Sequence, residues 1–268
     1  MLLALKSKAD VKYLPLAELA DKVNVKTKYT LENDNLLVSL SKNTSADLYI
    51  IIPAGYHFDS DSQRRQDLLV VRSKKFIFKS DKMDVTLKGF CSQASKGSPQ
   101  LNDTYRLIGF HPDSNLVKLA QFLDSNPNHK DNIQHAVWAI SDKKNIASIA
   151  NDNLGKQLRR LISSIQKIDT GWYTIEYFES NSIDSVFSDR HRHLSGNISF
   201  NTNYPSLITI MVKDARGQVI QFLENRYKSQ GKHEYEIELD IKNWPKGKYE
   251  LLIYEDQHVY VQKYNIEI

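Results

Sequence analysis

Leu36-Leu37-Val38-Ser39-Leu40 and Leu48-Tyr49-Ile50-Ile51-Ile52 decide the fold class of this chain. Both runs are short and rich in residues that fit a pleated surface, and the segment between them contains turn-forming Ser, Asn and Asp. Similar runs follow at Leu68 to Val71, Phe76-Ile77-Phe78 and Val85-Thr86-Leu87. The connections are too short for crossover helices, so antiparallel pairing is expected and residues 29 to 90 read as half of a β-sandwich.

The period changes after Pro112. Asp113 or Ser114 can cap a helix whose apolar positions Leu116, Leu119, Ala120 and Leu123 recur at helical spacing. A second helix is expected from Asp131, with Ile133, Ala136, Val137 and Ile140 on one stripe, and a third from about Asn153, with Leu154, Leu158, Leu161, Ile162 and Ile165. These three helices form an appendage to the sandwich.

Beyond Asp169 the strand pattern returns in Trp172 to Phe178, Ile198-Ser199-Phe200, Leu207 to Val212, Val219 to Leu223, Tyr235 to Leu239, Tyr249 to Tyr254 and Val259 to Ile266. Asp214-Ala215-Arg216-Gly217 and Glu255-Asp256-Gln257 are tight-turn candidates. Seven strands at this spacing suggest an immunoglobulin-like β-sandwich. The expected chain is therefore mainly β, with a first domain over 1–168 and a second over 169–268. Charge divides at the same point: 25 basic against 17 acidic residues before it and 11 against 15 after it.

The composition excludes several classes. A chain of 268 residues with 41% hydrophobic and 25% charged residues is globular rather than disordered. With Cys91 as the single cysteine, no intramolecular disulfide, thiolate zinc site or CxxC redox pair can form. The longest apolar run, Leu48 to Ile52, is far short of the roughly 20 residues that span a bilayer. Met1-Leu2-Leu3-Ala4-Leu5 precedes Lys6 and Lys8, the reverse of an export signal, although removal of a signal leaves the same picture. There is no fixed-period repeat and no low-complexity tract.

Other candidate constellations are weaker. The basic pairs Arg64-Arg65, Lys74-Lys75, Lys143-Lys144 and Arg159-Arg160 are dispersed and lack a nucleic-acid motif, so solvated faces explain them and no nucleic-acid partner is expected. Asp59-Ser60-Asp61-Ser62-Gln63 begins like a calcium loop, but Arg64 and Val70 stand where an EF-hand needs Gly and Glu. His191 and His193 would share one face of a strand, yet Arg190 and Arg192 disfavour a dication and favour a polar loop. A cysteine hydrolase would need Cys91 beside a histidine, with His111 and His135 nearest in sequence, and nothing in the sequence brings them together. No enzyme activity, cofactor or metal is expected.

Two motifs remain: Gly89-Phe90-Cys91, closing the strand-rich half, and Ile133-Gln134-His135-Ala136-Val137-Trp138-Ala139-Ile140 on the middle helix. Gln134 and Trp138 are four residues apart and share a helix face. A sheet-facing carboxamide needs partners, because burying one without them costs about 1–3 kcal/mol. An aromatic-Cys motif followed by a Gln-x-Ala-aliphatic-Trp helix resembles the thioester domains of bacterial surface adhesins. The resemblance implies that Cys91 supplies sulfur and Gln134 the acyl carbon of an internal thioester, formed with loss of ammonia, and that Trp138 shields it. A target amine would then attack the acyl carbon and release the Cys91 thiolate. The family commonly has threonine where this chain has Ile133. The alternative is a buried inert Cys91 with Gln134 bonded to neighbouring backbone.

In the second half, Asp214 to Ile220 and Trp244-Pro245-Lys246-Gly247-Lys248-Tyr249, followed by a last hairpin with Lys263, resemble the C-terminal immunoglobulin-like modules of secreted bacterial proteins. The two resemblances imply an extracellular or cell-surface binding protein, attaching to a protein or surface ligand with an accessible amine. A non-covalent docking module is the alternative.

Overall fold

A computed structural model describes residues 12–31, 35–180, 185–256 and 259–268. The Met1 to Lys8 stretch lies outside them. The described residues form two compact units. The first runs through Asp142 and takes back Ser185 and Val186; the second comprises residues 143–180 and Phe187 to Ile268. The division thus falls between 142 and 143, whereas the sequence pattern changes near 168.

In the first unit the described strands are β1 (Leu14–Pro15), β2 (Val23–Thr30), β3 (Asn35–Lys42), β4 (Leu48–Ile52), β5 (Tyr56–Ser60), β6 (Leu68–Val70), β7 (Lys74–Phe78), β8 (Lys82–Cys91) and β9 (Thr104–Phe110). Six of them close into a barrel in the order β2-β3-β8-β6-β5-β9. A barrel therefore stands where half of a sandwich was expected. The strand that makes the difference is β9, which pairs with β5 along its length and with β2 at Thr27 and Lys28, joining the two edges of an otherwise open sheet. Its sequence Thr-Tyr-Arg-Leu-Ile-Gly-Phe lacks a clean apolar alternation, so it does not announce itself as a strand.

Alternation does work elsewhere. Leu36, Val38 and Leu40 of β3 face Val85 and Leu87 of β8 in one buried core, and Ile50, Ile52 and Phe78 of the small β1-β4-β7 sheet complete it. Within that sheet β4 and β7 are antiparallel, but β1 runs parallel to β4. Two helices of this unit, α1 (Ser114–Ser125) and α2 (Ile133–Ser141), pack on each other, and α2 lies against β8. Asp113 caps α1 by accepting the Asn115 N–H at 2.8 Å.

The second unit holds α3 (Asn153–Gln166) and the strands β10 (Tyr173–Tyr177), β11 (His191–Thr202), β12 (Ser206–Asp214), β13 (Val219–Lys228), β14 (Gly231–Asp240), β15 (Lys248–Glu255) and β16 (Val259–Glu267). All seven sit where the sequence pattern put them. They form a three-stranded sheet, β10-β11-β14, and a four-stranded sheet, β13-β12-β15-β16, that bury a common core including Leu194, Ile198, Ile210, Ile237 and Leu251. The β12–β13 turn follows its chemistry: Asp214 Oδ1 accepts the N–H groups of Arg216 and Gln218, both at 2.9 Å, and Gly217 takes φ +80°. Gln257 of the other expected turn lies outside the described residues.

Helix α3 belongs to this unit, and Arg159, only 1% exposed, ties it there. Its guanidinium donates to the carbonyls of Ile149 and Tyr173, the latter at 2.7 Å. The expected solvated face at Arg159-Arg160 is thus wrong for its first member. Burial also pulls the Arg159 pKa down to about 10.

Candidate functional site

The tertiary fold brings Cys91 and Gln134 together across 43 residues of chain. Cys91 ends β8 opposite Leu68 of β6, past the last residue at which β3 pairs with β8. Among the described residues, β3 offers no partner this far along β8. Gln134 takes that place: its Oε1 accepts the Cys91 N–H at 3.0 Å and its Nε2 donates to the Cys91 carbonyl at 2.7 Å. A carboxamide offers one acceptor and donors on a single plane, so it pairs with a strand residue as another strand would. Both residues are half-buried.

The Cys91 side chain packs against the barrel core, and Tyr105 is near it. The Tyr105 phenol is held well above its usual range, first by burial and then by Asp103 and Cys91. Trp138 is buried on α2, four residues from Gln134, and its indole N–H donates to Gln66 Oε1 at 3.3 Å. The expected shielding residue is therefore also a hydrogen-bond donor within a polar network.

That network was not legible in the sequence. Gln66 is fully buried, and its side chain accepts the Gln93 N–H at 3.2 Å and donates to the Lys96 carbonyl at 3.1 Å. Gln93 in turn accepts the Asp67 N–H at 2.7 Å and donates to Asp67 Oδ2 at 2.5 Å. Ser92 donates its N–H to the Asp67 carbonyl at 3.0 Å. Three glutamines, Gln66, Gln93 and Gln134, thus tie the segment after β8 to β6 and α2. A carboxamide carries no periodic signal, so only the close approach of these segments reveals its role.

The histidines named in the sequence separate. His135 stacks edge-on against Trp138 with ring centroids 5.9 Å apart, its Nδ1 is buried without a hydrogen-bond partner, and burial lowers its pKa. His111 packs instead against His57, with centroids 4.5 Å apart, and its Nδ1 accepts the Asp113 N–H at 3.0 Å. His191 and His193 lie on β11 rather than in a loop, and their partners differ: His191 Nε2 meets the Trp244 carbonyl at 2.7 Å, while His193 pairs with Glu238. Asp59 and Asp61 of the calcium-loop-like stretch also diverge, Asp59 to Arg106 at 3.1 Å and Asp61 to the Thr104 hydroxyl at 2.5 Å.

No helix among the described residues is long and apolar enough to cross a membrane. No curated protein and no solved structure matches the chain significantly. Residues 195–267 match the secretion system C-terminal sorting domain, a span that contains both C-terminal motifs singled out above and that fits a secreted, cell-surface bacterial protein.

Proposed function

We propose that this is an exported bacterial surface protein whose second unit carries the delivery signal and whose barrel-and-helix unit is the binding module, acting without covalent chemistry. The sorting-domain similarity is confined to 195–267, so it accounts for delivery and leaves the barrel unit as what is delivered. The observation that favours non-covalent binding is the Gln134 carboxamide itself. Both of its ends are engaged by the Cys91 backbone, which gives this glutamine a structural use, while the thiol packs towards the barrel core.

A second reading is favoured by the same juxtaposition. The meeting of the Gln134 side chain with the Cys91 backbone, 43 residues apart, supports a Cys91–Gln134 thioester, which would transfer the Gln134 acyl group to a target amine and release the Cys91 thiolate. Mass spectrometry of the freshly purified intact chain separates the two. The expected result is the full unmodified mass, with no adduct after incubation with methylamine. A deficit of one ammonia, abolished by Cys91→Ala, would replace the non-covalent reading with the thioester. Binding of the chain to candidate surface ligands should survive Cys91→Ala and be reversed by denaturant.

A further inference from the structure

His57, Asp59 and Asp67 converge on the same outer side of the barrel wall. The β5–β6 register pairs Phe58 with Leu68 and His57 with Leu69, which sets Asp59 across from Asp67. Like charges directly opposite on neighbouring strands repel unless a partner stands between them, and His57 lies between this pair. His57 is 6% exposed, and neither of its ring nitrogens makes a hydrogen bond of good geometry. Its Nε2 nevertheless lies 3.3 Å from Asp59 Oδ1 and 3.7 Å from Asp67 Oδ2, close approaches without hydrogen-bond directionality.

We propose that His57 Nε2, Asp59 Oδ1 and Asp67 Oδ2 form a binding site for a divalent transition metal of the zinc class. One potential ligand atom from each of the three residues lies within 4.8 Å of the other two. Around an ion with bonds of about 2.0–2.2 Å, neighbouring tetrahedral ligands stand roughly 3.3–3.6 Å apart, close to the 3.3 and 3.7 Å that separate His57 Nε2 from the two carboxylates. The imidazole selects zinc-class metals over magnesium and calcium, and three protein ligands leave a position for water or a ligand.

The carboxylates are held from behind. Asp59 Oδ2 is bonded by Arg106 Nη2 at 3.1 Å, and Asp67 Oδ1 by the Ser60 N–H at 2.9 Å, which leaves the other oxygen of each towards His57. Gln93 also donates to Asp67 Oδ2, linking the site to the glutamine network. His111 is not a ligand. Its Nδ1 is occupied by the Asp113 N–H, so in the neutral ring Nε2 carries the proton.

Calorimetric titration of the chelator-treated full chain with zinc chloride tests the site. One equivalent should bind; His57→Ala should abolish it, and Asp59→Asn should weaken it by at least about tenfold. His193→Ala, which removes an imidazole outside the site, should bind as the parent does. Asp59 is more exposed than His57, so Asp59→Asn keeps the test decisive if His57→Ala fails to fold. Absence of stoichiometric zinc, undiminished binding in Asp59→Asn, or binding of calcium in place of zinc would each overturn the assignment.

Discussion

Gln134 shows how one side chain acquires its meaning from what the fold puts beside it. On the helix it is a polar residue next to an apolar stripe; against β8 it pairs with the backbone of a strand end past the described β3 ladder. Gln134→Ala leaves the Cys91 N–H and carbonyl without these partners. Because the position is half-buried and water can reach part of it, the expected loss of stability is about 1–2 kcal/mol, read by urea denaturation. His135, one residue on, gives a pH dependence. Burial lowers its pKa in the folded state below the ordinary 6.5, so the unfolded chain binds the proton more readily. Its contribution to stability is present above pH 6.5 and is lost as pH falls through the lowered folded value. Stability curves of the parent and His135→Gln should therefore converge or cross on the acid side of 6.5, a comparison that thermal unfolding across pH measures directly.

Individual elements were legible in proportion to the strength of their period. Helix α3 combines an Asp152 cap with a clean stripe, and the seven strands from β10 to β16 alternate well enough to be counted from sequence. Strand β9 and the closing of the barrel were not, because closure depends on which edges meet. The allegiance of α3 was also hidden. Its apolar stripe says only that one face is covered, whereas Arg159 fixes what covers it through carbonyls of Ile149 and Tyr173. Arg159→Met keeps much of the stem and removes every donor, leaving buried carbonyls unpaired. We expect a destabilisation of about 3 kcal/mol or more, since hydrogen bonds to a charged donor contribute about 1.5–3 kcal/mol each. Denaturant unfolding of the full chain measures it; a change within experimental error would show that these carbonyls find other partners.

Taken across the chain, the charge asymmetry that coincided with residue 168 dissolves. Counted over the compact units, 1–142 with 182–186 carries 19 basic and 17 acidic residues, and 143–181 with 187–268 carries 17 and 15. Each unit is net +2. The apparent basic first domain reflects counting the lysines and arginines of 143–168 with residues 1–142 rather than with the compact unit that holds them. Sequence by itself determined the β-rich class, the three helices and the strand count of the second half, because periodicity and caps are local properties; it singled out Cys91 and Gln134 only through a resemblance, and the fold sets one against the other. The tertiary structure alone decided the closed barrel, the boundary near 142, the glutamine network and the meeting of His57, Asp59 and Asp67. Each of these depends on contacts between residues far apart in the chain or on a strand register, which local pattern does not encode.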